Sequence, residues 1–314
     1  MYDRHINKET DVIDLKKISV ILVCALLLSI LGGCGAPAAE PTEPVTEPVA
    51  TEMPTEAPTE APTEAPTEPP TEAPTEPPVE EVARELIREG KYEEALAKLE
   101  NAESEEAYVL RLRAGLGDVT EGEEVIFGRY EQDNVPDNGM EEVSWIVLKV
   151  EDNKAFLLSR DCLDTQPYHD VFDGRSDWAN CTLRLWLNED FLNTAFDAAE
   201  QQLILETELV NKDNSSYGTP GGENTVDKVF LLSLDDAYHY QGNPMMLSKV
   251  TTYAIARGCY SSPVQNGWWW LRSPGVYTRD ASYVSATGAV SDYGYILHRV
   301  GWAIRPALWI DLNV

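Results

Sequence analysis

Cysteine, histidine and basic residues are all scarce in this chain. Five cysteines and four histidines occur among 314 residues. No Cys-x-x-Cys pair or Cys/His spacing appears, which removes the usual zinc-site pattern. Cys24 and Cys34 lie near the N-terminus. Cys162, Cys181 and Cys259 remain, enough for one bridge and a leftover thiol in an oxidising compartment. His169, His239 and His298 stand singly and read as surface or hydrogen-bonded side chains. Lys and Arg total 24 against 54 acidic residues, for a formal charge of -30. By segment this is -12 over 35–81, -2 over 82–117 and -16 over 118–314. A nucleic-acid partner needs a basic footprint and is excluded on that ground. No apolar run is long enough to span a bilayer comfortably; the longest is Ile18 to Leu31. There is no nucleophile elbow, HExxH or phosphate loop. The paired carboxylates Asp235-Asp236 and Glu141-Glu142 are consecutive and do not face each other across a cleft. No credible catalytic set emerges.

What is present begins at the N-terminus. Lys16 and Lys17 flank the apolar run, which fits the h-region of a secretory signal. The run ends in Leu31-Gly32-Gly33-Cys34, which resembles a bacterial lipoprotein signal box. The resemblance implies a signal peptide over 1–33, a diacylglyceryl group on the Cys34 thiol and cleavage before it. It places the protein at the bacterial cell membrane, lipid-anchored on the extracytoplasmic side. Two or more acyl chains, palmitate among them, anchor stably where one is marginal. An ordinary signal peptide with an accidental Cys, or a short membrane anchor, is the alternative. The polar stretch before Lys16 is long for an n-region and points to a later start. Residues 34–81 repeat Pro-Thr-Glu with Ala or Pro between. Proline removes backbone donors and the glutamates repel, so this is a disordered linker that cannot pack a core. At about 3.1 Å per residue it reaches on the order of 100 Å. Its job is to lift the rest of the chain off the membrane.

Residues 82–117 change character. Val82, Leu86 and Ile87, then Tyr92, Ala95, Leu96 and Leu99, recur at helical spacing, with Gly90 between the two sets. This predicts a small helical hairpin, and it resembles one tetratricopeptide unit. A single unit is a stalk or cap rather than a solenoid. From Asp118 the pattern alternates. EEVIFGRYEQ and VSWIVLKVEDNKAFLLSR read as strands, with a tight turn at Asp152-Asn153. Trp145, Val147 and Lys149 are expected on one face, and Ile146, Leu148 and Val150 on the other. A helix is predicted over 182–196, with an apolar stripe of Leu183, Trp186, Leu187, Phe191 and Phe196. Asp197 and Glu200 read as a capping box for a second helix, residues 227–233 as a strand, Ser233 to Asp236 as another cap, and 248–258 as a helix ending at Gly258. Strands follow to the end, with a turn at Thr287-Gly288. Helices segregate to the middle, so residues 118–314 form one α+β domain with a twisted antiparallel sheet and a central helical segment. The first and last strands are expected to pair.

Five blocks in order carry a family resemblance: FGRYEQDN with the 141–169 stretch, CTLRLWLNEDFLNTAF, YGTPGGENTVDKVFLLS, WWWLRSPG and RPALWIDL. Together they resemble the DUF6273 family of surface and secreted proteins over residues 124–314. The closing pattern also resembles the C-type-lectin-like fold shared by formylglycine-generating-type proteins and retroelement-diversified ligand-binding proteins. In the formylglycine enzymes two close cysteines carry the chemistry, whereas Cys259 has no partner nearby in the sequence.

Several residues are candidates for a site. In a strand, Trp268 and Trp270 point one way and Trp269 the other. That spacing fits a strand buried on both sides, with one ring left to line a cleft. Arg272 and Arg305 sit beside apolar strands and are expected to pair with buried carboxylates or loop carbonyls, or else to recognise an anion. Trp186 belongs to the structural stripe. Tyr277, Arg279, Asp280, Tyr283, Asp292, Tyr293, Tyr295 and His298 mix ring faces with polar tips, which suits sugars or peptides. Ordinary solvent-facing strands are the alternative. Asp213, Asn214, Glu223, Asn224 and Asp227 cluster in a Gly-rich loop and offer oxygen ligands for Ca²⁺, the single cofactor candidate, against a purely structural turn. The expectation is a cell-surface binding protein for an extracellular glycan or protein ligand. A cell-envelope enzyme acting through Cys259 or on wall material, and a passive structural protein, are the alternatives. Cys34→Ala is expected to abolish incorporation of labelled palmitate and move the protein from the membrane to the soluble fraction. Unchanged membrane retention would refute the anchor.

Overall fold

The computed structural model describes residues 76–171 and 174–313. The expected signal peptide over 1–33, Cys34 and the expected spacer as far as residue 75 lie outside the described residues. Among those described, no helix is long and apolar enough to cross a membrane.

Three helices come first: α1 (Val79–Arg88), α2 (Tyr92–Leu99) and α3 (Glu105–Leu116). The hairpin reading has two. The third is started by Ser104, whose hydroxyl accepts from the Ala107 amide at 3.1 Å and donates to Glu80 on α1 at 2.6 Å. Ala83, Ile87, Ala95, Leu99, Ala107, Leu110 and Ala114 form a separate small core. Its small residues let the helices approach closely. Gly117 closes this unit, because a Cβ there would lie 2.1 Å from the Tyr92 ring. Leu116 belongs instead to the main core, and Tyr108 donates to Asp197 at 2.9 Å, so α3 ties the helices to the mixed domain.

The mixed domain is α+β, with two five-stranded sheets and a ribbon. The first sheet holds β1 (Glu124–Tyr130), β2 (Glu141–Glu151), β3 (Lys154–Ser159) and two later strands. β4 (Asp164–Thr165) leaves it for the second sheet. A helical segment follows: α4 (Thr182–Trp186), a π turn over Leu187–Phe191, α5 (Leu192–Ala195) and α6 (Ala198–Leu203). The predicted single helix is therefore interrupted. The wider turn keeps Leu187 and Phe191 on the buried side while Asn188 reaches Val229, donating to its carbonyl at 2.9 Å. β5 (Thr207–Leu209) and β6 (Thr225–Asp227) form the ribbon. The strand expected over 227–233 splits into the end of β6 and β7 (Val229–Phe230). α7 (Leu234–His239) and α8 (Thr252–Ala256) are short; α8 starts at the Thr251 cap, four residues later than its periodicity suggests. β8 (Trp269–Pro274), β9 (Asp280–Val284), β10 (Val290–Ile296), β11 (Ala303–Ile304) and β12 (Ala307–Asp311) complete the chain.

Strand order is β1-β2-β3-β12-β7 in one sheet and β10-β9-β8-β11-β4 in the other. The last strand thus returns to the N-terminal meander, but it pairs with β3 and not with β1. The physical reason is burial. β3 is buried from Ala155 to Ser159, on both faces, whereas β1 exposes Glu124, Ile126 and Arg129 and suits an edge. The sheets are not purely antiparallel: β8 and β11 pair in parallel, Ala303 opposite Trp269. A bulge at Leu148 also overturns the expected facing of β2. Val147 and Leu148 are both buried, and Lys149 turns to solvent.

The two sheets meet at Arg305. It is fully buried; its Nε donates to the Ser159 carbonyl at 2.8 Å, one Nη to Met245 at 2.7 Å and the other to Arg160 at 3.3 Å. Its guanidinium lies 5.0 Å from the Trp269 ring centroid. Burial pushes its pKa down to about 10, so it remains a cation at neutral pH. Arg305→Ala is expected to cost on the order of 3 kcal/mol in urea unfolding, because the buried Ser159 carbonyl loses its donor, two part-buried carbonyls lose a bond each and a cavity opens beside Trp269. Arg129→Ala, which breaks an exposed pair with Glu142, should cost under about 1 kcal/mol. Equal losses would contradict this assignment of the joint.

Candidate functional site

The Trp triplet divides as its alternation requires. Trp269 faces Arg305 and is wholly buried. Trp270 is also wholly buried; it stacks on Trp302 at 4.8 Å and 24° and meets Tyr168 edge-on at 5.9 Å. As a ligand contact Trp270 is therefore corrected: its ring lies beneath Trp302. Trp268 is half-buried and lines an open cavity of about 390 Å³ with Tyr260, Ser261, Tyr295, Arg299 and Trp302.

This aromatic shelf rests on firm backing. Trp302 precedes β11, whose Ala303 amide donates to the Trp268 carbonyl at 2.8 Å. Tyr295 of β10 stacks on Trp302 at 5.2 Å, and Tyr283 of β9 meets it edge-on at 4.3 Å. Tyr260 is clamped from the other side. Its amide donates to Gly301 at 2.8 Å, and Arg299 lies 5.4 Å over its ring and donates to its hydroxyl at 3.2 Å. Gly301 has φ +90, and a Cβ there would sit 2.7 Å from the Tyr260 ring, so a side chain would displace it. Tyr260 and Tyr295 remain 48% and 42% exposed, presenting ring surface to solvent. Tyr260, Arg299 and Trp302 were missed in the sequence; the signal was Gly301-Trp302, a glycine beside an aromatic.

The other candidates scatter. Tyr277 and Arg279 line a second cleft. Tyr293 is exposed and meets Tyr217 edge-on at 6.1 Å. Asp292 accepts from Ser216 at 2.6 Å and is also hydrogen-bonded to Tyr238. Asp280 is held above the usual carboxylate range, mainly by burial. His298 is half-buried at the end of β10.

The oxygens of the 211–227 loop are spent singly rather than gathered around one point. Asp213 accepts from the Gly221 amide at 3.0 Å and Asn224 from the Asn211 amide at 3.1 Å, while the Glu223 carbonyl takes Asn211 Nδ2 at 2.8 Å. Asn214 is buried and donates to the Pro274 and Asp292 carbonyls, both at 2.8 Å. Asp227 is buried and accepts from Trp178, Thr225 and Arg184. Among the described residues the carboxylates that do converge are Glu131, Asp133 and Glu141, elsewhere in the domain. Arg272 is buried too, donating to Leu231 at 2.9 Å and pairing with Asp236 at 3.1 Å; Trp186 packs on Phe191 at 5.6 Å.

A larger cleft, about 630 Å³, lies beside α7 and has Phe156, Phe230 and Trp309 in its wall. Its polar groups serve the fold. Asp236 takes the Ser233 amide and hydroxyl in a capping box, Ser273 accepts from the Leu234 amide, and Lys212 pairs with Asp235.

Among the described residues the three cysteines, Cys162, Cys181 and Cys259, are free and buried. Burial raises Cys162 to about 11 and Cys181 to about 12, and pushes Cys259 up as well. A thiol in that state is not a nucleophile at neutral pH. Their folded pKa values lie above the ordinary 9.0, so the stability from keeping them neutral is complete below about pH 9. It is lost as pH rises through the folded values. Urea midpoints are expected to fall progressively above pH 9, and iodoacetamide at pH 8 should leave Cys162, Cys181 and Cys259 unmodified until urea is added. Rapid native labelling of Cys259 would restore the thiol chemistry.

No curated protein and no solved structure matches the chain. Residues 152–312, just over half of the chain, match the family model described as Domain of unknown function (DUF6273). The match opens at the β2–β3 turn, so β1 and β2, which complete the same sheet, precede it. The match covers the whole second sheet, strands β3, β7 and β12 of the first, the Arg305 joint and the aromatic shelf, and the chain belongs to the DUF6273 family.

Proposed function

We propose that this is a lipid-anchored binding protein of the bacterial cell surface, held by Cys34 on the extracytoplasmic side and raised on its Pro-Thr-Glu spacer. Its mixed domain, of C-type-lectin-like character, recognises an extracellular glycan. The observation that carries this reading is the solvent-facing shelf of Tyr260, Trp268 and Tyr295, backed by the buried Trp270–Trp302 stack. Sugar rings present C–H faces that pack on aromatic rings, and their hydroxyls meet polar tips such as the Tyr260 hydroxyl and Arg299. A stack fixed from behind costs little entropy on binding. An enzyme reading finds less support, because the three thiols are buried and protonated and the hydroxyls of Ser233 and Ser273 serve helix α7.

A glycan array probed with the full-length protein tests this. Tyr295→Ala and Tyr260→Ala are each expected to weaken the strongest signals about tenfold, equal to about 1.4 kcal/mol. Thermal unfolding should move by only about 4 °C or less, since both rings are substantially exposed. Absence of any glycan signal, or signals indifferent to both changes, would sink the proposal.

A further inference from the structure

A second cleft, of about 480 Å³, lies where the 211–227 loop meets the β8–β9 turn. Its rim carries Arg175 and Arg279, both exposed. In an acidic domain these two are unusual. Arg129, Arg160, Arg184, Arg257 and Arg272 each pair with a carboxylate, Arg299 bonds the Tyr260 hydroxyl and Arg305 bonds carbonyls. Among the described residues, neither the Arg175 nor the Arg279 side chain has a carboxylate or carbonyl partner. Asp280 follows Arg279 in sequence and feels its charge, but burial outweighs it and leaves the carboxyl raised, and no ion pair joins the two side chains.

The walls are fixed rather than loose. Arg279 lies 5.2 Å over the ring of Tyr277, which keeps its other surface in solvent. Ser176 donates its amide to the Thr278 carbonyl at 3.1 Å, bringing the Arg175 segment against this turn. Thr219 donates to the Val276 carbonyl at 2.8 Å, and Asn214 pins the loop behind it. Tyr217, also on the rim, meets Tyr293 of β10, the strand that carries Tyr295 of the aromatic shelf.

We infer that this cleft binds the carboxylate of an acidic sugar, extending the glycan site along β10; the inference rests on the glycan-binding function proposed above. A guanidinium is a planar fork matched to a carboxylate, and a neighbouring tyrosine face suits the sugar ring that bears it. The domain carries -16 overall, so it repels dense polyanions at long range. The ligand that fits is therefore a chain with isolated carboxylates between neutral rings, held by two local cations.

Hyaluronan oligosaccharides, their carboxyl-reduced counterparts and heparin serve as probes for the immobilised full-length protein. Hyaluronan is expected to bind at least tenfold more tightly than its reduced form and more tightly than heparin. Arg175→Gln and Arg279→Gln should each remove most of that preference while leaving the reduced form's affinity unchanged. Tyr295→Ala should weaken both forms. Equal affinity for the two forms, with Tyr295→Ala still weakening them, overturns the carboxylate site alone. Binding of neither form overturns this site and counts equally against the glycan-binding function. Heparin binding as tight as hyaluronan, or poly-glutamate displacing it at equal charge, reassigns the cleft to a general anion contact and overturns it as well.

Discussion

The structure turns on the burial of one guanidinium. Between β11 and β12 the chain passes from the second sheet to the first within two residues, Arg305 and Pro306. A charge inside a protein is costly unless every donor is used. Arg305 sets each of its three nitrogens on a carbonyl, two at the end of β3 and one at Met245, which offsets part of that cost, and its flat face lies over Trp269. Pro306 has no amide to leave unpaired at the crossing, and its carbonyl accepts from Ser159 at 2.9 Å. The joint therefore fixes β3, β8, β11 and β12 relative to one another. Because Trp268 and Trp270 flank Trp269, it also sets the height and tilt of the aromatic shelf. A surface built this way is a by-product of core packing, which makes it rigid.

Buried acids do similar work elsewhere. Asp164 accepts from the Tyr130 hydroxyl at 2.6 Å, from Arg257 at 2.8 Å and from the Thr165 amide at 2.7 Å, joining β1, α8 and β4. Asp227 joins the 178–184 segment to the ribbon. Some of the chain's acidity is thus architectural, with each carboxylate fully hydrogen-bonded, which is the arrangement a low-dielectric interior demands. The same accounting explains the 211–227 loop. Its oxygens look like a cation cage in the sequence, but those of Asp213, Asn214, Asn224 and Asp227 are taken by amides and side chains, and the result is a stiff wall beside the arginine-lined cleft.

Much of the fold was legible locally. The capping boxes at Asp197/Glu200 and Ser233/Asp236 form as their spacing requires, since a cap needs only residues three apart. Asp152 and Asn153 both take positive φ, as a tight hairpin between twisted strands needs. The two-sided burial of the Trp run followed from strand alternation. The failures share another cause. The Leu148 bulge, the π turn at 187–191 and the choice of β3 as partner for β12 each depend on what lies across the interface. Periodicity within a segment carries no information about that.

Composition, periodicity and caps were sufficient for the class of the protein: an acidic α+β domain behind a helical unit and a Pro-Thr-Glu spacer. These properties arise between near neighbours, where backbone geometry sets the rules. Which rings share a surface, which arginines go unpaired and which acids are consumed inside were settled only when distant segments packed. Tyr260, Tyr295 and Trp302 form one shelf, and Arg175 and Arg279 one cleft, because the two sheets close around Arg305. Contacts between residues tens of positions apart depend on shape and charge complementarity that no local pattern encodes.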